Sequence, residues 1–309
     1  MSNFIATILS AALLFSELPP GTNPAATGSP VRMTVTANVD KNKRTPQVEK
    51  ADVAVKQGKE QLQVLDWVPA TGERAGLELF FLIDDASTSS LGLHLDDIRG
   101  FIKAQPATTQ IGVGYARNAG VDVLQDFTTD RELAAKALRL PMSNVGAYGS
   151  PYLSVASLMR RWQPSDNRRE VVLITDGIDR AHRGRNALTN PDVDTAAAVA
   201  QRTGTIVHAI YFPGVGHWSG HFWESISGQN GLSKLTDITG GQAFYLGVQR
   251  PVTIVPYLEQ LQRILDNQYL LTVAAKPGKK SGLQYLSVNT EVAGVDLATP
   301  DAVWVPGSK

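Results

Sequence analysis

The sequence predicts an α/β protein in which a doubly wound domain with a mainly parallel sheet is inserted into a small antiparallel β domain made by both chain ends. Two observations carry this reading. Between residues 75 and 267 short apolar runs alternate with stretches of helical period, whereas the flanks on either side are strand-like. At 309 residues, 43% hydrophobic and 19% charged, the chain has enough apolar material for one large domain and a smaller one.

Residues 1–30 open with an apolar run over residues 4–15, followed by a stretch rich in Pro, Gly, Ser and Ala. That run is too short to span a bilayer and fits the apolar part of a secretory signal. Export to the periplasm, cell surface or medium is the expectation. The 29 basic and 29 acidic residues balance, so no net field favours nucleic acid or an anionic membrane. There is no cysteine, which excludes disulfides, zinc–thiolate sites and thiol catalysis.

Residues 31–74 contain MTVTANV, ADVAVKQ and EQLQVLDWV, separated by polar turns, and read as an antiparallel β segment. In the middle region strands are expected over residues 77–83, 110–116, 121–127, 170–175, 205–211 and 242–246. The strand at 121–127 follows its predecessor after one short turn and should be antiparallel. Thr129 with Glu132 reads as a capping box, Asn190-Pro191 as a helix start, and Gly204 and Gly240-Gly241 as helix ends. A helix around residues 255–267 closes the region. Strand signals return over residues 268–309, in YLLTV, LQYLSVN and VWV. These are too few to fold alone, so they should pair with residues 31–74.

Ligands of open α/β sheets bind at the carboxyl ends of the strands. Three loops there carry oxygen donors: Asp85, Ser87 and Ser89 in a D-x-S-x-S pattern, Ser150 at a helix start, and Asp176 in Thr175-Asp176-Gly177. Hard cations take oxygen ligands in near-octahedral geometry, which an Asp with two alternating hydroxyls can half supply. Strand alternation points Asp84 away from Asp85, and no base or nucleophile for hydrolysis stands out.

On these motifs, residues 76–267 resemble the von Willebrand factor type A (VWA) domain, a Rossmann-like fold with a metal-ion-dependent adhesion site (MIDAS). The resemblance implies that Asp85, Ser87, Ser89, Ser150 and Asp176 hold Mg²⁺ or Mn²⁺, Asp176 mainly through water. It also implies that a protein partner presenting Asp or Glu supplies the last ligand. Ser150 stands where the family has threonine. The flanking β segments and Thr239-Gly240-Gly241-Gln242-Ala243-Phe244 resemble an exported bacterial subfamily with the type A domain inserted in a β domain.

The function expected is therefore metal-dependent protein binding, in adhesion or assembly, without catalysis. One alternative is a scaffold that binds through its β domain and keeps a structural or vestigial metal site. Another is a metallohydrolase built on His217 and His221. The long connection over residues 212–232 should overhang the site, with Trp218, Phe222 and Trp223 as partner contacts. Arg180, Arg183 and Arg185 read as solvated charge, or as flanks for an acidic ligand.

Overall fold

The computed structural model describes residues 28–39, 46–142, 149–181, 190–213, 222–245 and 252–308. The apolar run expected to direct export lies outside them. Strands β1 (Ser29–Val39), β2 (Val53–Gln57), β3 (Glu60–Leu62) and β4 (Val64–Pro69) form the N-terminal β segment.

The next strand, β5 (Leu77–Asp84), reads LELFFLID and is buried at every position, as a central strand covered on both faces must be. Helix α1 (Leu95–Ala104) leads to β6 (Thr109–Arg117), and a turn through Asn118 and Ala119 leads to β7 (Gly120–Thr128). Both turn residues have positive φ, 51° and 59°, the type I′ pattern whose twist suits a tight hairpin. There follow α2 (Arg131–Lys136), α3 (Pro151–Arg161), β8 (Arg168–Thr175), α4 (Pro191–Thr203), β9 (Thr205–Tyr211), α5 (Phe222–Thr239), β10 (Ala243–Tyr245) and α6 (Val255–Asp266). The six-stranded sheet runs β10-β9-β8-β5-β6-β7. Its strands are parallel except β7, which is antiparallel to β6 as expected.

Alternation along β5 builds two cores. Phe81 and Ile83 face α1, α2 and α6 through Ile98, Ala134, Leu258 and Leu261. Phe80 and Leu82 face α3, α4 and α5 through Tyr152, Val155, Val193 and Leu232. Asn190 caps α4, its side chain accepting from the Asp192 N–H at 2.9 Å, with Pro191 at the first helical position. Gly204 ends that helix at φ 67°, a left-handed conformation open to glycine without penalty. The expected capping box at Thr129 and Glu132 is not the cap of α2. Asp130 holds that place and accepts from the Leu133 N–H at 3.0 Å, a carboxylate being the better cap.

The C-terminal strands are β11 (Gln268–Ala275), β12 (Gly282–Thr290), β13 (Val295–Ala298) and β14 (Ala302–Val305). They interleave with the N-terminal ones in two antiparallel sheets, β13-β1-β11-β4 and β14-β12-β2-β3. Between the sheets lies one core, with Val35, Val55, Leu271 and Val273 fully buried and Trp67 stacked on Tyr269 at 4.5 Å. The joint to the α/β domain is held by Arg168 at the base of β8. Its guanidinium donates to Leu265 O and Ala75 O, each at 3.0 Å, and to Gln268 Oε1. A second buried pair lies on the same face: His208 Nδ1 accepts from the Gln242 N–H at 3.1 Å, so Nε2 carries the ring proton and donates to Glu170 at 2.8 Å. None of the described helices is long and apolar enough to cross a membrane.

Deleting β11 to β14 removes the strand between β1 and β4. Limited proteolysis should then cut residues 46–69 readily, and protection equal to that of the full chain would contradict a shared β domain. For Glu170, burial alone would raise the carboxyl pKa, but the His208 hydrogen bond and the Arg168 charge outweigh it and hold the pKa below the usual 4.5. A depressed carboxyl pKa contributes stability above the unfolded value and loses it as pH falls through the folded one. Glu170→Gln, which still accepts from His208, should therefore show a shallower loss of stability below about pH 4.5. Parallel acid titrations of urea midpoints for mutant and wild type would refute this assignment.

Candidate functional site at the carboxyl edge of the sheet

From β5 the chain crosses to β6 on one side, and from β8 to β9 on the other, so the carboxyl ends of β5 and β8 flank the crevice where the winding reverses. Crevices of this kind are where open α/β sheets bind ligands. Asp84 ends β5 and Thr175 ends β8. Thr175 Oγ1 donates to Asp84 Oδ2 at 2.6 Å, and the Ala86 N–H donates to Asp84 Oδ1 at 2.9 Å. Asp176 follows directly, accepting from the Ile178 N–H at 3.0 Å and from both ends of the Arg180 fork at 3.1 and 2.6 Å. The same guanidinium lies 3.8 Å from Asp84.

One arginine therefore stands between two carboxylates that are 5% and 1% exposed. Burial, with the charge of Asp176 adding to it, pushes the Asp84 pKa up to about 6 against the opposing pull of Arg180, Thr175 and the Ala86 N–H. The loop is pinned from below by a close backbone approach: a Cβ on Gly177, whose φ is 68°, would lie 2.5 Å from Gly228 O in α5. Tyr152 reinforces the contact by donating to Gly177 O at 2.8 Å. Burial raises its phenol pKa well above the ordinary value.

Asp85 belongs to a different network. Its carboxylate, 1% exposed, accepts from Arg139 at 2.8 and 3.3 Å and from the Met142 N–H at 2.8 Å. Arg139 lies over the Tyr115 ring at 3.8 Å, and the Tyr115 hydroxyl binds its backbone O and N–H at 2.5 and 2.7 Å. The Asp85 hydrogen bonds raise the Arg139 pKa further.

Of the five expected ligands, Asp85 and Asp176 thus hold different arginines. Ser87 is buried and donates its N–H to Asp84 O at 3.0 Å. Ser89 is exposed and begins a short 3₁₀ turn, and Ser150 is buried as the N-cap of α3, accepting from the Leu153 N–H at 3.4 Å. Asp84, set aside in the sequence by strand alternation, is the aspartate that shares its surroundings with Asp176. The signal available was its place as the last strand residue beside Thr175. Arg180, read as solvated charge or as a flank for an acidic ligand, has a side chain only 10% exposed. Arg183, Arg185, His217, Trp218 and His221 lie outside the described residues, as does the side chain of Phe222. Trp223 is 73% exposed in the first turn of α5. One turn further on, Gly228 of α5 packs against the backbone of Asp176 and Gly177, which sets the start of this helix beside the crevice.

The donor atoms are of the hard kind that Mg²⁺ and Mn²⁺ take, but their charge is already engaged. Both oxygens of Asp85 and both of Asp176 accept from a guanidinium, and a dication placed beside them would face fixed positive charge. In this arrangement the residues do not fit the metal. Among the described residues no group of three or more acids and histidines is placed to hold an ion.

No family model and no curated protein matches the sequence. Solved structures do resemble the chain. An aerotolerance-related membrane protein from Bacteroides fragilis NCTC 9343, with multiple mutations to serine, is 14% identical at a TM-score of 0.44, covering 62% of this chain and 99% of that one. The conserved hypothetical protein BatB from Bacteroides thetaiotaomicron is 16% identical at 0.43, covering 61% and 97%. The SpRpn10 VWA domain is 12% identical at 0.41, covering 60% and 94%.

Asp85 is buried while the Arg139 side chain is 25% exposed, and removing the arginine strands the buried carboxylate. Arg139→Ala should cost about 3 kcal/mol, and Asp85→Ala with Arg139→Ala clearly less than the sum of the single changes. Additive losses in denaturant titration would show that Asp85 draws its support from elsewhere.

Proposed function

We propose that this chain is an exported, non-enzymatic module that holds a protein partner against the carboxyl edge of its central sheet, with Trp223 as an anchor. One observation carries the reading: a tryptophan 73% exposed in the turn that borders the Asp84–Asp176–Arg180 crevice. A tryptophan left in water is the residue type that most often dominates an interface once covered. The type A resemblance of the loop motifs supports the same edge as the place of contact, and the apolar run at residues 4–15 supports export.

The sequence also suggests a metal-dependent form, with Mg²⁺ or Mn²⁺ held by Asp85, Ser87, Ser89, Ser150 and Asp176 and a partner Asp or Glu as ligand. That form requires both carboxylates to leave their arginines. The arginine pairing favours the form that needs no metal.

A second reading, a scaffold that binds through its β domain, is favoured by Tyr285. This residue is 76% exposed on β12, far from the crevice in sequence and on a different sheet.

A photo-crosslinking residue placed at 223 or at 285 in the source cells separates the two. Adducts from 223 support the edge, and adducts from 285 alone sink it in favour of the scaffold. With the captured partner in hand, Trp223→Ala should weaken binding about tenfold or more and leave the melting temperature unchanged.

A further inference from the structure

We infer that Arg180 is the resident cation of the carboxyl-edge crevice, so that the site is complete without Mg²⁺ or Mn²⁺ and holds its partner in the presence of a chelator. The statement about the partner rests on the binding reading above. The assignment of the cation stands apart from it.

Two carboxylates, Asp84 and Asp176, are almost withdrawn from water at the ends of β5 and β8. Buried charges persist only when paired and hydrogen-bonded. The structure meets that demand from within the same loop. Arg180 lies four residues after Asp176, grips both of its oxygens at 3.1 and 2.6 Å, and reaches to 3.8 Å from Asp84. A planar guanidinium with parallel N–H bonds suits a carboxylate in both geometry and charge. The arginine is itself sheltered, with a side chain 10% exposed and a further bond to Ile178 O at 3.3 Å. A guanidinium is not deprotonated in a folded protein, so Arg180 stays charged.

Asp85 repeats the arrangement with Arg139. Asp85 has Arg139, and Asp84 and Asp176 share Arg180, so each of these three acids already lies beside a fixed cation. A metal would have to expel Arg180 from a sheltered position and strip its hydrogen bonds, whereas the guanidinium needs no free ion.

The experiment uses the full chain purified free of metal. Wild-type protein should show no rise in melting temperature with millimolar Mg²⁺ or Mn²⁺ over an equal ionic strength of sodium chloride, and electron paramagnetic resonance should find Mn²⁺ free in solution. Arg180→Gln removes the cation, so its midpoint should fall by several degrees in chelator and recover in part with Mg²⁺ or Mn²⁺, because the bared carboxylates now bind it. Arg180→Lys should show neither the full fall nor the recovery. One Mn²⁺ bound per wild-type chain, with a thermal shift lost in Asp84→Asn or Asp176→Asn, would overturn the inference. If Arg180→Gln does not fold, the wild-type resonance measurement decides. Crosslinking from position 223 in chelator is read separately: adducts lost only in chelator contradict this inference and spare the binding reading, whereas adducts absent under all conditions sink the binding reading and leave the cation to the resonance measurement.

Discussion

The crevice depends on a central strand that no water reaches. β5 is buried from Leu77 to Asp84 and lies between two parallel neighbours, so its side chains must serve both faces of the sheet. The strand ends at Asp84 with Asp85 directly after it, and alternation sends the two to opposite sides. Neither reaches solvent, and each needs a counter-charge. Arg139, from the segment after α2, meets Asp85, and Arg180, from the loop after β8, meets Asp84 together with Asp176. The fork-to-carboxylate bonds then hold the two loops against the strand ends. The shape of the carboxyl edge follows from how one strand's terminal charges are neutralised.

The opposite end of the sheet is tied down in a similar way. Arg168 opens β8, donating to the end of α6, to Ala75 two residues before β5 and to the first residue of β11. Strand β8 thus carries one buried arginine at its base and leads into another beyond its tip. The lower one couples the α/β domain to the sandwich and the upper one organises the crevice. The sandwich cannot close without the chain's return, because β11 fills the gap between β1 and β4. Its stacked Trp67 and Tyr269 come from segments on either side of the α/β domain.

Much of this was legible in the residues. Every expected strand of the α/β region is present, the Asn190-Pro191 start and the Gly204 stop hold, and β7 runs antiparallel. The site was legible only in outline. The first and third loops meet through the Thr175–Asp84 bond, but the pattern D-x-S-x-S selected Asp85, and Ser150 is engaged as the N-cap of α3. A linear pattern records spacing and carries no information about which face a partner from β8 approaches. Likewise nothing around Arg180 or Arg139 in the sequence separates a sheltered arginine from a solvated one. Arg139 meets Asp85 across 54 residues, and its support from Tyr115 spans 24.

By itself the sequence determined the kinds of element, their order and the ends of several helices, because periodicity, glycine conformation and side-chain caps act within a few residues. It also determined that both chain ends must join, since neither strand set could bury a core alone. The strand order, with β5 between β6 and β8, was decided by tertiary packing, as were the choice of aspartate facing Asp176 and the use of two arginines as counter-ions to buried carboxylates. These are settled by contacts between segments far apart in the chain, where the cost of burying a charge favours an arrangement that sets Asp84, Asp85 and Asp176 beside arginines.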